Sequence, residues 1–194
     1  MPIPVLETTR LLLVPLVSED APQMQQCFPR WEIVRYLVGA VPWPYPANGA
    51  EDYVNTVILP QMEKGQAWCW TIRRKCEPET LIGLISLYDM EDNHRGFWLV
   101  PEYQGQGYMR EASMTVTDFW FNTLNRPVLR APKAADNLRS RAISESSGMR
   151  LIRTEMKRYV SGWMTSELWE ITRDEWNARF RRSETRSRDP SAEG

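Results

Sequence analysis

The stretch "VPEYQGQGYMREA", Val100–Ala112, decides how this chain is to be folded. Gly105 and Gly107 stand one residue apart, behind the strand-like "GFWLV" (Gly96–Val100) and ahead of a helix-like run. From Met109 to Leu124 the residues Ala112, Val116, Phe119, Trp120 and Thr123 recur at helical spacing. A glycine pair between a strand and a helix has two readings. It is a plain tight turn, since glycine reaches backbone angles that other residues avoid. Or it cradles a phosphate, because the free N–H groups and the dipole of a helix N-terminus favour an anion. Two phosphate-binding patterns are excluded on the residues. No Lys-Ser/Thr pair follows the second glycine, and Arg110 stands where a dinucleotide fingerprint needs its third glycine.

Upstream, Ala67–Arg74 and Leu81–Asp89 join Gly96–Val100 as strand-like runs, with turn-rich "KCEPET" and "MEDNHR" between them. An antiparallel meander is the economical reading. Arg10–Val17 is a further strand, in which Pro15 points to an edge position or bulge. Ser18 is a candidate N-cap for a helix with Ala21, Met24 and Phe28 on one face. "WEIVRYL" reads as a short helix and "VGAVPWPYPANG" as a loop. "AEDYVNTVILPQMEKG" is helix-like, with Tyr53, Val57 and Gln61 four apart and a kink or interruption expected at Pro60.

Downstream, Val128–Ala134 is strand-like, and a helix follows between Asn137 as N-cap and Gly148 as terminator. Leu151–Thr172 reads as two strands about Ser161-Gly162, and "RDEWNARF" as a last short helix. These elements fit one α+β domain over 1–181, with a mainly antiparallel sheet of six to seven strands flanked by helices. The polar segment 182–194 reads as a disordered tail.

With 194 residues, 42% hydrophobic and 25% charged, the chain has enough apolar surface for one sizeable core. A net charge of −1 gives no basic field, so nucleic acid is not an expected partner. No apolar run reaches the roughly 20 residues of a membrane span, and no signal-peptide pattern opens the sequence. Cys27, Cys69 and Cys76 are dispersed, which suits reduced thiols in a cytoplasmic protein. With one histidine there is no ligand cluster, so no metal is expected, nor a Ser-His-Asp hydrolase.

"FWLVPEYQGQGYMREA" closely resembles the coenzyme A loop of the GNAT acetyltransferases, patterned Gln/Arg-x-x-Gly-x-Gly/Ala. Gln104 and Gly107 fit that pattern, while Met109 stands where Gly or Ala is usual. "TTRLLLVPLVSEDA" and "ADNLRSRAISESSGMRL" resemble the flanking motifs of the RimJ/RimL-type branch, in which Asn137 and Ser140 match an Asn-x-x-Ser at a helix start. The likeness runs from about Thr8 to Ile171. It implies an acetyl-CoA-dependent N-acetyltransferase acting by direct attack of a primary amine, from a protein N-terminus or a small molecule. The rival reading is a non-catalytic acyl-CoA-binding sensor or scaffold.

The resemblance also implies a fourth and fifth strand that splay apart to hold coenzyme A. The cofactor-binding candidates it marks are Trp98, Leu99 and Val100 on the strand, the loop residues Gln104, Gly105, Gln106, Gly107, Tyr108, Met109 and Arg110, and then Asn137 and Ser140. The amides of Gln104 to Met109 would take the pyrophosphate, and a strand N–H would polarise the thioester. Met109 either points into the core or crowds the cofactor. The catalytic candidates are His94 as base, with Glu91 and Asp92 as alternatives, and Ser140 near the sulfur. Ser144 occupies the place where many relatives carry a catalytic Tyr. The acceptor candidates are Trp31, Tyr36, Trp43 and Tyr45, whose rings suit a flat group or a cation. Late strands with exposed parts leave a homodimer open.

Overall fold

The computed structural model describes residues 2–186. On β3 (Ala67–Arg74) the residues Ala67 to Ile72 are all buried, and on β4 (Glu77–Tyr88) so are Leu81 to Leu87. Strands buried on both faces need cover on both, and helices supply it. A five-stranded antiparallel sheet runs β1 (Leu6–Glu7), β2 (Leu11–Pro15), β3, β4 and β5 (Arg95–Leu99) in spatial order. A separate three-stranded sheet is ordered β6 (Val128–Ala134), β8 (Gly162–Thr172), β7 (Arg150–Tyr159). The expected splayed pair is therefore β5 and β6, and the splay is complete enough to divide the strands into two sheets.

One face is covered by α1 (Ala21–Cys27), α2 (Trp31–Val34), α3 (Gly49–Asp52) and α4 (Leu59–Glu63), whose apolar residues share a core with Cys69, Leu84 and Trp98. The other is covered by α5 (Tyr108–Asp118), with Ala112 and Val116 against Leu13, Ile72 and Ile85. Ala112, Val116, Phe119 and Trp120 are buried as their spacing predicts, while Thr123 is exposed because the chain widens into a π turn over Phe119–Thr123. α6 (Leu138–Ser146) is capped by Asn137, whose side chain accepts from Ser140 N–H at 3.2 Å.

Three local expectations are corrected. Ser18 does not cap a helix; its hydroxyl donates to Asn55 at 2.6 Å, and Asp20 takes the Val17 N–H instead. The buried face of the segment before Pro60 is Ala50, Val54 and Ile58, not Tyr53, Val57 and Gln61. The regular helix is interrupted ahead of Pro60, as expected: the chain winds as a π turn over Tyr53–Ile58 before a residue that has no N–H to give. Finally, α7 (Arg173–Arg186) carries a fully buried Trp176 and continues past the point where a tail was expected to start. The rest of that tail, 187–194, lies outside the described residues. Pro15 sits as expected: it pairs with Trp70 on one side only, since β1 reaches no farther than Leu12 and Leu13.

β5 is held against β4 by close approach at Gly83, which faces Leu99 across the ladder. A methyl group there would come within 2.5 Å of the Trp98 carbonyl oxygen. Gly83→Ala should therefore destabilise the fold by ~1–3 kcal/mol, the cost of overpacking, read as a lower urea midpoint with unchanged slope.

Candidate active site between the two sheets

β5 and β6 run in the same direction and meet only at their beginnings. His94 N–H donates to the Arg130 carbonyl at 2.8 Å, and Arg130 N–H donates back to His94 Nδ1 at 2.8 Å. The imidazole stacks on Trp120, with centroids 5.0 Å apart, and Trp120 Nε1 donates to the Val128 carbonyl at 2.8 Å. Burial, and then the Arg130 guanidinium, hold the His94 imidazole below its ordinary value. This pins the closed end of a V whose arms part toward Leu99 and Ala134.

The ladder with β4 decides which β5 groups face the open V. Tyr88 N–H donates to His94 O and Val100 N–H to Ile82 O, so His94, Gly96, Trp98 and Val100 point their backbone groups into the ladder. The alternate residues Arg95, Phe97 and Leu99 point theirs into the gap. Of the three strand residues expected to meet the cofactor through backbone, only Leu99 turns its backbone groups toward the gap, as Phe97 also does. Trp98 and Val100 are corrected, because their N–H groups already belong to the sheet. The Leu99 carbonyl accepts from Gln104 Nε2 at 2.7 Å, and the same amide receives a short bond from Arg139 of α6, so Gln104 bridges the mouth of the V.

Beyond Leu99 the chain turns through Gly105 (φ 77°) and Gly107 (φ 81°), both left-handed, into α5. No side chain caps that helix, so its first N–H groups are free for a ligand. Gln104 N–H is not part of this cradle, because it donates to Pro101 O at 3.1 Å; the free amides begin at Gly105. Met109 is buried in the core, which answers where its bulk goes. Arg110 is exposed in an open groove of about 560 Å³ that Thr8, Thr9, Arg10 and Glu111 also line.

The loop is locked from behind by the "TTR" motif. Arg10 donates to the Gln106 carbonyl at 2.9 Å and to Glu111 at 2.8 Å, and its guanidinium lies 4.4 Å from the Tyr108 ring centroid. Thr8 adds a short hydrogen bond to the same carboxylate. Burial would raise the Glu111 carboxyl, but the donors from Thr8 and Arg10 outweigh it and hold it below its ordinary value. With the Gln106 carbonyl held by Arg10, it stays clear of an incoming anion.

A model of the acetyltransferase (GNAT) domain matches residues 10–150 of this sequence. The chain belongs to the GNAT acetyltransferase family. A curated relative, the uncharacterized N-acetyltransferase YoaA of Bacillus subtilis (strain 168), is 26% identical over 143 residues, covering 69% of this chain and 76% of that protein. Among solved structures, the ribosomal-protein-S5-alanine acetyltransferase of Vibrio fischeri superposes with a TM-score of 0.76 at 19% identity, over 89% of this chain and 98% of that one. The ribosomal L7/L12 α-N-protein acetyltransferase RimL in complex with coenzyme A gives 0.72 at 20% identity, over 88% and 97%. These likenesses fix the fold as that of a GNAT N-acetyltransferase, a family that uses acetyl-CoA. The site here has what that cofactor needs: an anion cradle with two left-handed glycines, one of them open to 4 Å around a would-be methyl, and unpaired strand backbone leading inward from it.

The acceptor candidates divide within this GNAT fold. Trp31 and Trp43 come together, with centroids 5.8 Å apart, and both are exposed. Tyr45 instead packs edge-on against Phe28 at 5.0 Å, which in turn meets Trp98 at 5.2 Å. Tyr36 lies under Arg35. Arg30 ties the start of α2 to Glu102, just ahead of the glycine loop, which sets the tryptophan pair beside the end of β5. Among the base candidates, Asp92 is held below its ordinary value by hydrogen bonds from Arg130 and then Arg153. His94 sits four residues from Trp98, ~13 Å along a strand, and its Nδ1 lone pair is already used. That position gives His94 a structural task at the closed end of the V.

The folded imidazole lies below its ordinary 6.5. Between those two values the unfolded chain binds more protons, so stability falls as the pH drops through that window. His94→Gln should lose that step in a pH series of urea unfolding. It should also escape the ~10²-fold or greater loss of acetyl transfer that removal of a general base brings.

Proposed function

We propose that this chain transfers the acetyl group of acetyl-CoA directly to a primary amine bound beside Trp31 and Trp43. The observation that carries the reading is the V between β5 and β6, which opens at the glycine cradle and leaves the Phe97 and Leu99 N–H groups facing inward. In this reading the amides from Gly105 to Arg110 take the pyrophosphate and the arm enters past Gln104. Leu99 N–H donates to the thioester carbonyl as charge builds on its oxygen.

Direct attack, without an acyl-enzyme, fits the cysteines. Burial pushes the Cys69 thiol up to about 12 and the Cys27 thiol up to about 11, so neither offers a thiolate at neutral pH. Cys76 is exposed in the turn between β3 and β4. Three free thiols also suit a cytoplasmic setting. The structural neighbours that acetylate ribosomal proteins make a peptide N-terminus the first acceptor to try, with small amines second.

The test is acetyl-CoA-dependent release of free thiol against peptides with different first residues, amino acids, polyamines and aminoglycosides. One class should exceed the no-acceptor rate. Silence across the panel, with coenzyme A still binding, would favour a non-catalytic acyl-CoA-binding module. For the active acceptor, Trp31→Ala and Trp43→Ala should each raise KM about 3- to 30-fold, the range of an aromatic contact worth ~0.5–2 kcal/mol, while the KM for acetyl-CoA holds.

A further inference from the structure

On the α5–α6 face of the V the chain buries more positive charge than it neutralises. Lys133 of β6 is 7% exposed and Arg95 of β5 is 3% exposed. Arg95 donates to Thr117 Oγ1 at 2.7 Å and reaches Met149 Sδ at 3.6 Å, but its Nε has no partner among the described residues. Glu167 faces Lys133 across the β6–β8 ladder. That carboxylate, however, receives Trp169 Nε1 at 3.0 Å and lies 3.5 Å from Arg141 Nε, and it forms no ion pair with Lys133. Among the described residues Lys133 makes one hydrogen bond, from Nζ to the Ala131 carbonyl at 3.3 Å, with the Trp169 ring centroid 5.5 Å away. An ammonium has three donors, so two stay unused. The hydroxyls of Ser113 and Ser144, fully buried on α5 and α6, are also without protein partners. A buried cation with unspent donors is costly unless an anion arrives to meet it.

The register says where along the V this cation stands. Arg130 meets His94 at the closed end, and both strands leave that point in the same direction. Lys133 is three residues along β6, which puts it level with Phe97, roughly 10 Å inward from the join. Its side chain alternates with Leu129 and Ala131, which lie in the core under α5, whereas Trp31 and Trp43 flank the opposite core. Lys133 therefore lies on the α5 side of the V, opposite the core that Trp31 and Trp43 flank.

Resting on the acetyl-CoA reading above, we infer that Lys133 is a catalytic residue that protonates the departing sulfur of coenzyme A. The amine nitrogen forms its bond to the carbonyl carbon, the C–S bond breaks, and its electron pair goes to sulfur. A proton passes from Nζ to that sulfur, giving the thiol and a neutral lysine. The proton lost by the acceptor amine goes to solvent, and solvent restores the ammonium. Burial, and then Arg95, pull the Lys133 ammonium down to about 7, with Glu167 acting the other way. An ordinary thiol titrates near ~8.5, so transfer from Nζ to the thiolate runs downhill. The other charged group near this cluster is Arg141 of α6, which lies toward Glu167 and Glu145; Thr117 and Ser113 of α5 do not titrate.

The first test needs no acceptor. Binding of coenzyme A and of acetyl-CoA is measured by calorimetry on the full chain between pH 6.5 and 8.5, for wild type, Lys133→Met and Lys133→Arg. Wild type should favour coenzyme A over acetyl-CoA most between pH about 7 and ~8.5, where Nζ and the sulfur share one proton, and less on either side of that window. Lys133→Met should lose about tenfold of that preference while its acetyl-CoA affinity stays within threefold, and it should melt no lower than wild type. Lys133→Arg should keep the preference. With an active acceptor, both variants should lose about 10²-fold in kcat at unchanged KM for acetyl-CoA, since arginine cannot release its proton. If wild type binds coenzyme A but Lys133→Met shows the same preference and pH profile, the role of Lys133 is overturned and the acetyl-CoA reading stands. If wild type binds neither molecule, both fall.

Discussion

Two hydrogen bonds between His94 and Arg130 fix where this sheet stops being one sheet. They are reciprocal, 2.8 Å each, and no ladder continues past them. The surroundings hold them in place. Trp120 stacks on the imidazole and takes the Val128 carbonyl. The Arg130 side chain reaches Asp92 and Glu170 at 2.8 Å each, so the turn before β5, β6 and β8 are tied at one point. An isolated join of two strands is weak. Backed by a stacked indole and a half-buried salt-bridge network, it becomes a vertex from which two strand edges diverge.

Everything chemical follows from that divergence. A strand edge inside a protein normally loses its N–H and C=O groups to a neighbour. Here Phe97 keeps both of its groups and Leu99 keeps its N–H, because β6 has moved away. The cradle at Gly105 and Gly107 lies at the open end, so an anion held there directs the rest of its molecule along those unpaired groups. Arg10, Thr8 and Glu111 brace the loop from behind, and Arg10 turns the Gln106 carbonyl away from the anion side. Gln104 meanwhile satisfies the Leu99 carbonyl with its own amide, a bond of the kind an amide-bearing ligand would replace.

The elements were legible where local pattern and tertiary demand agree. β3 and β6 fall on their expected bounds: β3 is a buried run with Trp68, Trp70, Thr71 and Ile72, and β6 alternates buried Leu129, Ala131 and Lys133 with more exposed neighbours. Around Val57 the four-residue spacing holds, but the buried face is Ala50, Val54 and Ile58, because spacing alone does not say which of two adjacent faces meets the core. Among the site residues, the glycine loop was legible from its motif. The gap-facing backbone of Phe97 was not, because it depends on how β4 pairs with β5. His94 was singled out for its chemistry, whereas its neighbours Arg130 and Trp120 give it a structural use.

By itself the sequence determined the family of shapes: glycines at 105 and 107 permit left-handed backbone, apolar periodicity places α5 against a sheet, and the flanking motifs bracket the loop. These are short-range constraints, set by sterics and side-chain spacing. Only the tertiary structure decided which strand edges stay unpaired, which lysine is buried without a counter-ion, and which tryptophans share the surface beside the loop. Those depend on partners far apart in the chain, His94 with Arg130, Lys133 with Glu167 and Arg95, Trp31 with Trp43. Hydrogen bonding and desolvation act through space, and no spacing along the chain encodes them.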